Sequence, residues 1–320
     1  MQLALVFPGQ GSQKPGMGKP LAENFAVARL VFEEIDEALS ERLSRTIFDG
    51  SEADLLRTDI TQPALMAVSL AVLAVLKAEA GLDPRMARFV AGHSLGEYSA
   101  LAAAGAYSVA DTARLLRARG RAMQKAAPGD PGAMTAVLGI DDIAKVEEIA
   151  AAAARAERGV CVVANDNSPG QVVLSGTTAA IARAEILAKE AGAKRALRLP
   201  VAAAFHSPLM QPAADEMHKV LLAAAAAKAP KPSLIANVTA AAVTDAAQIA
   251  GLLVQQITGR VRWRETVAAL APGGADTQVE IGAGKVLTGL AKRIEPSLAT
   301  FAVETPADVD AFVKAAQGKS

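Results

Sequence analysis

The sequence is poor in cysteine and has no excess charge of either sign. Its single cysteine, Cys161, lies in the apolar run VCVVAN, and one thiol cannot form an internal disulfide. We expect this thiol to pack as a small hydrophobic group in a reducing compartment. Lysine plus arginine and aspartate plus glutamate each number 33, so no global field attracts nucleic acid or an anionic membrane. Any anionic ligand must therefore be bound by local groups.

Long apolar segments are also missing from the sequence. The longest, ALMAVSLAVLAVL at residues 64–76, is too short to cross a bilayer, and MQLALVFPGQ at the N-terminus has no basic residues before its apolar run. The sequence thus predicts a soluble, cytoplasmic protein that does not contact membranes. With 320 residues the chain is long enough for about two domains, and such a core needs neither disulfides nor a metal. No metal site is predicted.

What the chain does contain is a distinctive segment, RFVAGHSLGEYSALAAAG, at residues 88–105. A short apolar run, a Gly-x-Ser-x-Gly turn and an alanine-rich helical pattern follow one another there, which predicts a nucleophile elbow around Ser94. Gly92 and Gly96 lack the Cβ atoms that would clash in so sharp a turn. The N–H of Leu95 would then point to where an oxyanion forms. A structural serine in an ordinary glycine turn is the alternative interpretation.

Strand and helix patterns alternate along most of the chain, which predicts an α/β fold with a mostly parallel sheet. LALVF at residues 3–7 is predicted as a buried strand, and helices are predicted near residues 21–40 and after Pro63. The predicted strand before Ser94 would place this serine at the C-terminal end of the sheet, where such folds bind ligands.

The pattern changes after the turn-rich segment AAPGDPG. Strand, helix, strand, strand, helix and strand follow in the ferredoxin-like order. We therefore predict a small inserted subdomain at residues 129–198, and a main domain made of residues 1–128 and 199–320.

A serine nucleophile needs a base, and the chain has three histidines. His218 lies in a predicted surface helix, and His93 is next to Ser94, so we expect its side chain to leave the strand end on the other side and form structural hydrogen bonds. His206 follows the predicted strand RLPV, where the chain returns to the main domain. We predict His206 as the base, since nucleophile and base are adjacent in space rather than in sequence.

The residue types alone do not establish which group orients this base. Asp166, in ANDNSPG, is the best-placed carboxylate between Ser94 and His206, where an α/β-hydrolase keeps its acid. An aspartate that forms a turn is the alternative and the favoured interpretation of Asp166.

Two glycine-rich segments partly match nucleotide-binding loops. FPGQGSQ at residues 7–13 lacks the third glycine of a dinucleotide fingerprint, because Lys14 stands there, and GAGK at residues 282–285 is followed by Val286 instead of Ser or Thr. Both segments therefore predict tight turns. The glycines beside Gln10 would still let its backbone N–H approach a ligand oxygen as a second oxyanion donor.

Arg119 belongs to the predicted helix DTARLLRARGRAMQK. On a helical wheel it falls with Leu115, Leu116 and Met123 on the apolar side, where an unpaired guanidinium would be costly. Pairing with a structural carboxylate would explain this position. The alternative is an anion receptor, since arginine binds a carboxylate through two hydrogen bonds.

Several segments together resemble the malonyl-CoA:acyl-carrier-protein transacylase family. These are FPGQGSQ, GHSLGEYSAL, the arginine before Gly120, AFHSPLM and EIGAGKVLTGLAKRI. The resemblance covers nearly the whole chain, and this combination is more specific than Gly-x-Ser-x-Gly alone. It implies an α/β-hydrolase-like main domain that carries a ferredoxin-like subdomain, with the site between them.

The resemblance also implies roles for individual residues. The family's nucleophile falls on Ser94, its base on His206, its carboxylate-binding arginine on Arg119, and its oxyanion donors on the N–H groups of Gln10 and Leu95.

In this family a main-chain carbonyl replaces the acid of the triad. The matching position is Gln256 in LVQQITGRVRW, although the following ITGRV departs from the family's more usual form. Phe205, directly before the predicted base, should reach the acyl pocket. Related domains with AFH at this point resemble malonyl-selective enzymes, and those with ASH resemble methylmalonyl-selective ones.

The reaction that the resemblance implies is transfer of malonyl from malonyl-CoA to the phosphopantetheine thiol of acyl carrier protein through a malonyl-serine. Fatty-acid and polyketide synthesis both remain open as its pathway. We expect a monomer with no permanently bound cofactor, and Lys194 and Arg195 are candidates for docking the acidic carrier protein. Two alternatives are a serine hydrolase or thioesterase that uses an acid such as Asp166, and a non-catalytic scaffold that binds the carrier.

Overall fold

The computed structural model describes residues 1–126 and 129–317. The strands in these ranges are β1 (Leu3–Phe7), β2 (Phe89–Gly92), β3 (Ala133–Leu138), β4 (Cys161–Ser168), β5 (Gln171–Gly176), β6 (Arg195–Arg198), β7 (Ser233–Ile235), β8 (Ala242–Val243), β9 (Thr277–Ile281) and β10 (Ala299–Val303). The helices are α1 (Lys19–Asn24), α2 (Ala26–Leu39), α3 (Leu43–Asp49), α4 (Glu52–Leu56), α5 (Thr58–Ala80), α6 (Gly96–Ala103), α7 (Val109–Lys125), α8 (Ile143–Glu157), α9 (Thr178–Glu190), α10 (Gln211–Ala223), α11 (Ala246–Thr258), α12 (Trp263–Ala268), α13 (Val286–Ile294) and α14 (Pro306–Gln317).

The main sheet has the strand order β10-β9-β1-β2-β7-β8 in the described part of the chain. Its strands are parallel except for β8, which pairs antiparallel with β7 at one edge. Residues 4–7 of β1 are fully buried, as expected for a parallel strand covered by helices on both faces. The predicted α/β class is confirmed. Phe7 of β1 lies opposite Gly92 of β2, so the segments that follow these two strands leave the sheet side by side.

Helix α5 forms the centre of the main domain and packs against α2, α7 and α14. By length and composition it could cross a membrane, but 94% of its most apolar window is buried inside the fold, and a core helix passes the same test. The prediction that this helix begins after Pro63 is wrong, because it begins at Thr58. Pro63 removes one backbone donor, and the residues around it are buried, so packing offsets that loss.

The helix predicted near residues 21–40 is two helices. Phe25 has an extended backbone, with φ −127° and ψ 118°, and separates α1 from α2.

The second sheet is antiparallel, with the strand order β4-β5-β3-β6. Helices α8 and α9 pack against each other and against this sheet, with Cys161 buried in the shared core as predicted. This is the ferredoxin-like order. The elements lie inside the predicted range 129–198, while the domain boundaries themselves stay a prediction.

Backbone hydrogen bonds connect strand β4 of the small sheet to the main domain. The N–H of Val261 donates to the carbonyl of Ala164 at 2.8 Å, and the N–H of Asp166 donates to the carbonyl of Val261 at 3.0 Å. Because Val261 lies between α11 and α12 of the main domain, these bonds hold the small sheet against it. A cleft remains where the two parts meet.

Candidate active site

Ser94 stands in a sharp turn between β2 and α6. Its backbone has φ +53°, a conformation that costs energy for a residue with a side chain. A Cβ on Gly92 would clash with the backbone of Gly96, and one on Gly96 would clash with the carbonyls of Phe7 and Pro8. The turn therefore has the geometry of a nucleophile elbow, and it projects the serine into the cleft.

The side chain of His206 meets Ser94 across the cleft. Ser94 Oγ lies 2.7 Å from His206 Nε2, and His206 Nδ1 lies 2.8 Å from the carbonyl oxygen of Gln256 and 3.2 Å from that of Gly259. Both carbonyls can only accept, so Nδ1 carries the proton and Nε2 is left with a lone pair for the serine hydroxyl. The arrangement can deprotonate Ser94.

His206 is buried, and burial lowers its pKa to about 3, with a further lowering by the charge of Arg119. The Gln256 carbonyl acts in the opposite direction. The imidazole is therefore neutral at physiological pH, which is the form that accepts a proton.

Asp166 does not face His206. It lies in β4 and pairs with Arg264 of α12, so the hypothesis that it orients the base is wrong. The favoured alternative, a turn-forming aspartate, is also wrong, because β4 continues through this segment to Ser168. The Arg264 guanidinium neutralises the charge of this carboxylate, and main-chain carbonyls accept the hydrogen bond that orients the base.

Gln10 and Leu95 line the same cleft as Ser94, and Leu95 follows it directly in the chain. Among the described residues, neither backbone N–H has a hydrogen-bond acceptor. Two free N–H groups beside a nucleophile are the arrangement of an oxyanion hole. The loop that carries Gln10 is held by a hydrogen bond of 2.7 Å from the N–H of Gly11 to the side chain of Gln13.

Arg119 is completely buried, and its guanidinium reaches the nucleophile. Nη2 lies 3.2 Å from Ser94 Oγ, Nη1 donates to Gln62 at 2.8 Å, and Nη2 donates to Gln256 Oε1 at 2.7 Å. Within residues 1–126 and 129–317, no carboxylate lies within 4.0 Å of it, and Nε has no partner. Burial lowers its pKa. The structural ion pair considered from the sequence is therefore absent from these ranges, and an anion receptor fits the geometry.

Two further residues of the site, and the side-chain role of Gln256, were missed from the sequence. Asn237, after β7, accepts from the N–H of Ser94 at 2.8 Å and donates to the carbonyl of Gly92 at 2.7 Å. Gln62 and the side chain of Gln256 contact Arg119. Gln62 could have been found as a lone amide in an apolar helix, whereas nothing in the sequence marks Asn237.

The remaining histidines take separate positions. His93 also lines the cleft, but its Nε2 is 2.8 Å from Asn167 Oδ1 and its ring lies 5.5 Å from that of Trp263, so it forms a structural hydrogen bond, as predicted. His218 is exposed on α10.

Phe205 lines the cleft, together with the apolar side chains of Met134, Leu199 and Val201. Its side chain is buried, with 6% exposed. Lys194 and Arg195 are exposed at the start of β6, the edge strand of the small sheet. Exposure alone does not test their predicted role in docking the carrier protein, which stays a prediction.

A serine at an elbow, a neutral histidine and two free N–H groups are typical of enzymes that carry an acyl group on serine. Comparison with known proteins agrees with this class, since residues 4–302 match the acyl transferase domain family. The malonyl CoA-acyl carrier protein transacylase of Bacillus subtilis (strain 168) is 44% identical over 319 residues, 98% of this chain and 96% of that protein. The chain belongs to the family of malonyl-CoA:acyl-carrier-protein transacylases, as the sequence motifs predict.

Solved structures agree in fold as well as in sequence. The acyl-carrier-protein S-malonyltransferase of Bartonella henselae is 51% identical, with a TM-score of 0.94 over 99% of this chain and all of that one. A malonyl-transacylase solved in complex with the holo acyl-carrier protein of a type II polyketide synthase is 39% identical, with a TM-score of 0.93 over 98% of this chain and 100% of that one.

Proposed function

We propose that this protein transfers malonyl from malonyl-CoA to the phosphopantetheine thiol of an acyl carrier protein, through a malonyl ester of Ser94. The observation that carries the proposal is the buried guanidinium of Arg119, 3.2 Å from Ser94 Oγ, with no carboxylate partner among the described residues. An acyl group that ends in a carboxylate supplies the missing anion. The names of the relatives and their nearly complete overlap with the chain support the same reaction.

The first step forms the ester. Ser94 Oγ attacks the thioester carbonyl while His206 Nε2 takes its proton, and the N–H groups of Gln10 and Leu95 stabilise the oxyanion. The carbon–sulfur bond then breaks, and His206 returns the proton to the coenzyme A thiolate. In the second step the carrier's thiol gives its proton to His206 and attacks the ester carbonyl; the bond between that carbon and Ser94 Oγ breaks, and His206 returns the proton to Ser94 Oγ.

The same geometry bears on the alternatives. A hydrolase-type triad would need an acid at His206, and Nδ1 instead faces the carbonyls of Gln256 and Gly259. A scaffold that only binds the carrier has no use for a strained serine in contact with a neutral imidazole.

Partners and setting complete the proposal. Malonyl-CoA is a substrate rather than a bound cofactor, and the carrier approaches the cleft near Lys194 and Arg195, whose charges complement an acidic surface. The proposal includes a cytoplasmic monomer that binds neither nucleic acid nor membranes, and it covers carriers of either fatty-acid or polyketide synthesis.

The test of this function is single-turnover labelling of the unaltered protein with malonyl-CoA. We expect intact mass to show one malonyl adduct, peptide mapping to place it on Ser94, and a holo carrier protein to discharge it far faster than water. Discharge by water at the rate seen with the carrier would indicate a hydrolase. The absence of any adduct would indicate a scaffold.

Replacement of Arg119 with alanine is expected to weaken malonyl transfer more than acetyl transfer, because only malonate has a free carboxylate. Loss of one partner of a desolvated ion pair costs about 2 to 5 kcal/mol, so the malonyl-to-acetyl ratio of kcat/KM should fall at least about tenfold. This ratio is measured for the unaltered protein and for the purified variant with the same carrier. Equal losses for the two substrates would mean that Arg119 only stabilises the fold.

Replacement of Phe205 with serine is expected to narrow the preference for malonyl over methylmalonyl groups. The phenyl ring occupies space beside the reacting serine, and a smaller side chain would leave room for a methyl branch. One methyl group changes discrimination by roughly 10- to 200-fold, so the variant should gain methylmalonyl transfer on that scale at most. An unchanged kcat/KM ratio in a folded variant would show that the ring does not limit the acyl pocket.

A further inference from the structure

Glu97 is a buried carboxylic acid that the proposed reaction does not use. It lies in the first turn of α6, three residues after the nucleophile, and only 1% of it is exposed. Its Oε2 accepts a hydrogen bond of 2.5 Å from Gln256 Nε2, and its Oε1 accepts one of 3.3 Å from the N–H of Asn237. Both oxygens face donors, so the geometry suits the ionised carboxylate.

Gln256 connects this carboxylate to Arg119. Its Nε2 donates to Glu97 Oε2 and, at 2.8 Å, to the carbonyl of Ser94, which uses both amide hydrogens. Its Oε1 accepts from Arg119 Nη2 at 2.7 Å. A reversed amide would point its oxygen at two acceptors and its NH2 at a guanidinium, so Glu97, the Ser94 carbonyl and Arg119 together allow one orientation only.

The amide of Gln256 separates the negative charge of Glu97 from the positive charge of Arg119. A direct ion pair with Glu97 would occupy the guanidinium, whereas the intervening amide places the anion near Arg119 and leaves Nε without a partner. The residue that carries this amide also presents its main-chain carbonyl to His206 Nδ1. One glutamine thus links the carboxylate, the guanidinium, the elbow and the base.

We propose that Glu97 is a positioning residue for malonyl transfer: through the side-chain amide of Gln256 it holds Arg119 in the orientation that receives the carboxylate of the acyl group. This inference rests on the proposed function. Glu97 touches neither the substrate nor the reacting atoms. Its hydrogen-bonded path to Arg119 runs through Gln256, and its other side-chain contact is with the N–H of Asn237.

Replacement of Glu97 with glutamine keeps the side chain's size and removes its charge. The new amide cannot accept from both Asn237 and Gln256, so the Gln256 amide loses the charged acceptor that helps to hold it against Arg119. We expect kcat/KM for malonyl-CoA to fall roughly ten- to a hundredfold and that for acetyl-CoA to fall much less. In a Gln256→Leu background, which keeps the main-chain carbonyl, Glu97→Gln should add little, because the path is already cut.

Glu280 offers a matched control. It is a fully buried carboxylate in β9 that accepts from the N–H groups of Leu287 and Thr288 at 3.1 and 2.7 Å, away from the cleft. Glu280→Gln should lower stability and leave the malonyl-to-acetyl ratio unchanged. Equal losses for both substrates in Glu97→Gln, or fully additive losses in the double variant, would overturn the positioning role.

The pH profile of the unaltered enzyme tests the same role without a variant. Burial raises the pKa of Glu97 to about 7, and its neighbours do not titrate near that pH: Arg119 stays charged, burial raises the pKa of Tyr98, and burial lowers that of His206 to about 3. As pH falls through about 7 the carboxylate gains a proton, one oxygen turns from acceptor to donor, and the malonyl-to-acetyl ratio should fall. A ratio that stays flat as pH falls through the pKa of Glu97 and well below it would overturn the role, even if Glu97→Gln fails to fold.

Failure of this inference and failure of the proposed function give different results. If the unaltered protein forms no malonyl-serine, the function fails and this inference with it. If it forms the ester but the malonyl-to-acetyl ratio does not depend on Glu97, the function stands and the inference alone is wrong.

Discussion

Replacement of Ser94 with alanine is expected to abolish the covalent malonyl adduct and carrier-dependent transfer together. Ser94 Oγ lies 2.7 Å from the imidazole of His206 and lines the same cleft as Gln10 and Leu95, whose backbone N–H groups are free. Removal of this oxygen takes away the atom that forms the ester, so no partial reaction is expected by this route. Intact mass after exposure to malonyl-CoA measures the outcome.

A control for this prediction is available in the same helix. Ser99 of α6 is fully buried, and its hydroxyl has no partner in the described part of the chain, so Ser99→Ala should leave the adduct intact. A persistent adduct in Ser94→Ala would require another nucleophile and would contradict the proposed mechanism. Cys161 is a poor candidate, because burial raises the pKa of its thiol to about 12.

Replacement of His206 with alanine is expected to slow acylation by a factor on the order of 10² to 10⁴, the usual loss when a positioned base is removed. The elbow, the N–H groups and Arg119 remain, so residual labelling of Ser94 should be slow but detectable. Rapid-quench measurement of ester formation gives the rate.

Asp166→Ala and His218→Ala are the matched comparisons for the base. Asp166 pairs with Arg264, and His218 is exposed on α10, so the folded variants should acylate at nearly the normal rate. A loss in Asp166→Ala as large as in His206→Ala would contradict the carbonyl-oriented base and favour a hydrolase-type triad.

Local patterns predicted the elements near the site well and the distant contacts poorly. The elbow could be predicted because Gly92, Ser94 and Gly96 determine it within five residues, by the absence of two Cβ atoms. The helical wheel placed Arg119 on the buried side of α7, as found. The same wheel puts Arg117 with Arg114 and Arg121 on the other side, yet Arg117 is only 6% exposed and pairs with Glu41 and Asp59, which are distant in sequence.

Asp166 shows why residue types alone could not identify the partner of the base, which only the family resemblance assigned to the main-chain carbonyl of Gln256. The position of Asp166 between Ser94 and His206 in the chain made it the best-placed carboxylate, but β4 carries it to Arg264. The group that does meet His206 Nδ1 is a main-chain carbonyl, which every residue has, so no residue type marks it.

The sequence by itself determined the α/β class, the inserted strand and helix pattern, the elbow and the family, because each depends on short-range periodicity or on motifs of a few adjacent residues. Only the tertiary structure decided which side chains surround the elbow. Glu97, Gln256 and Arg119 lie on α6, α11 and α7, and Asn237 follows β7. Their hydrogen bonds join residues up to 162 positions apart, so they exist only once the helices have packed on the sheet.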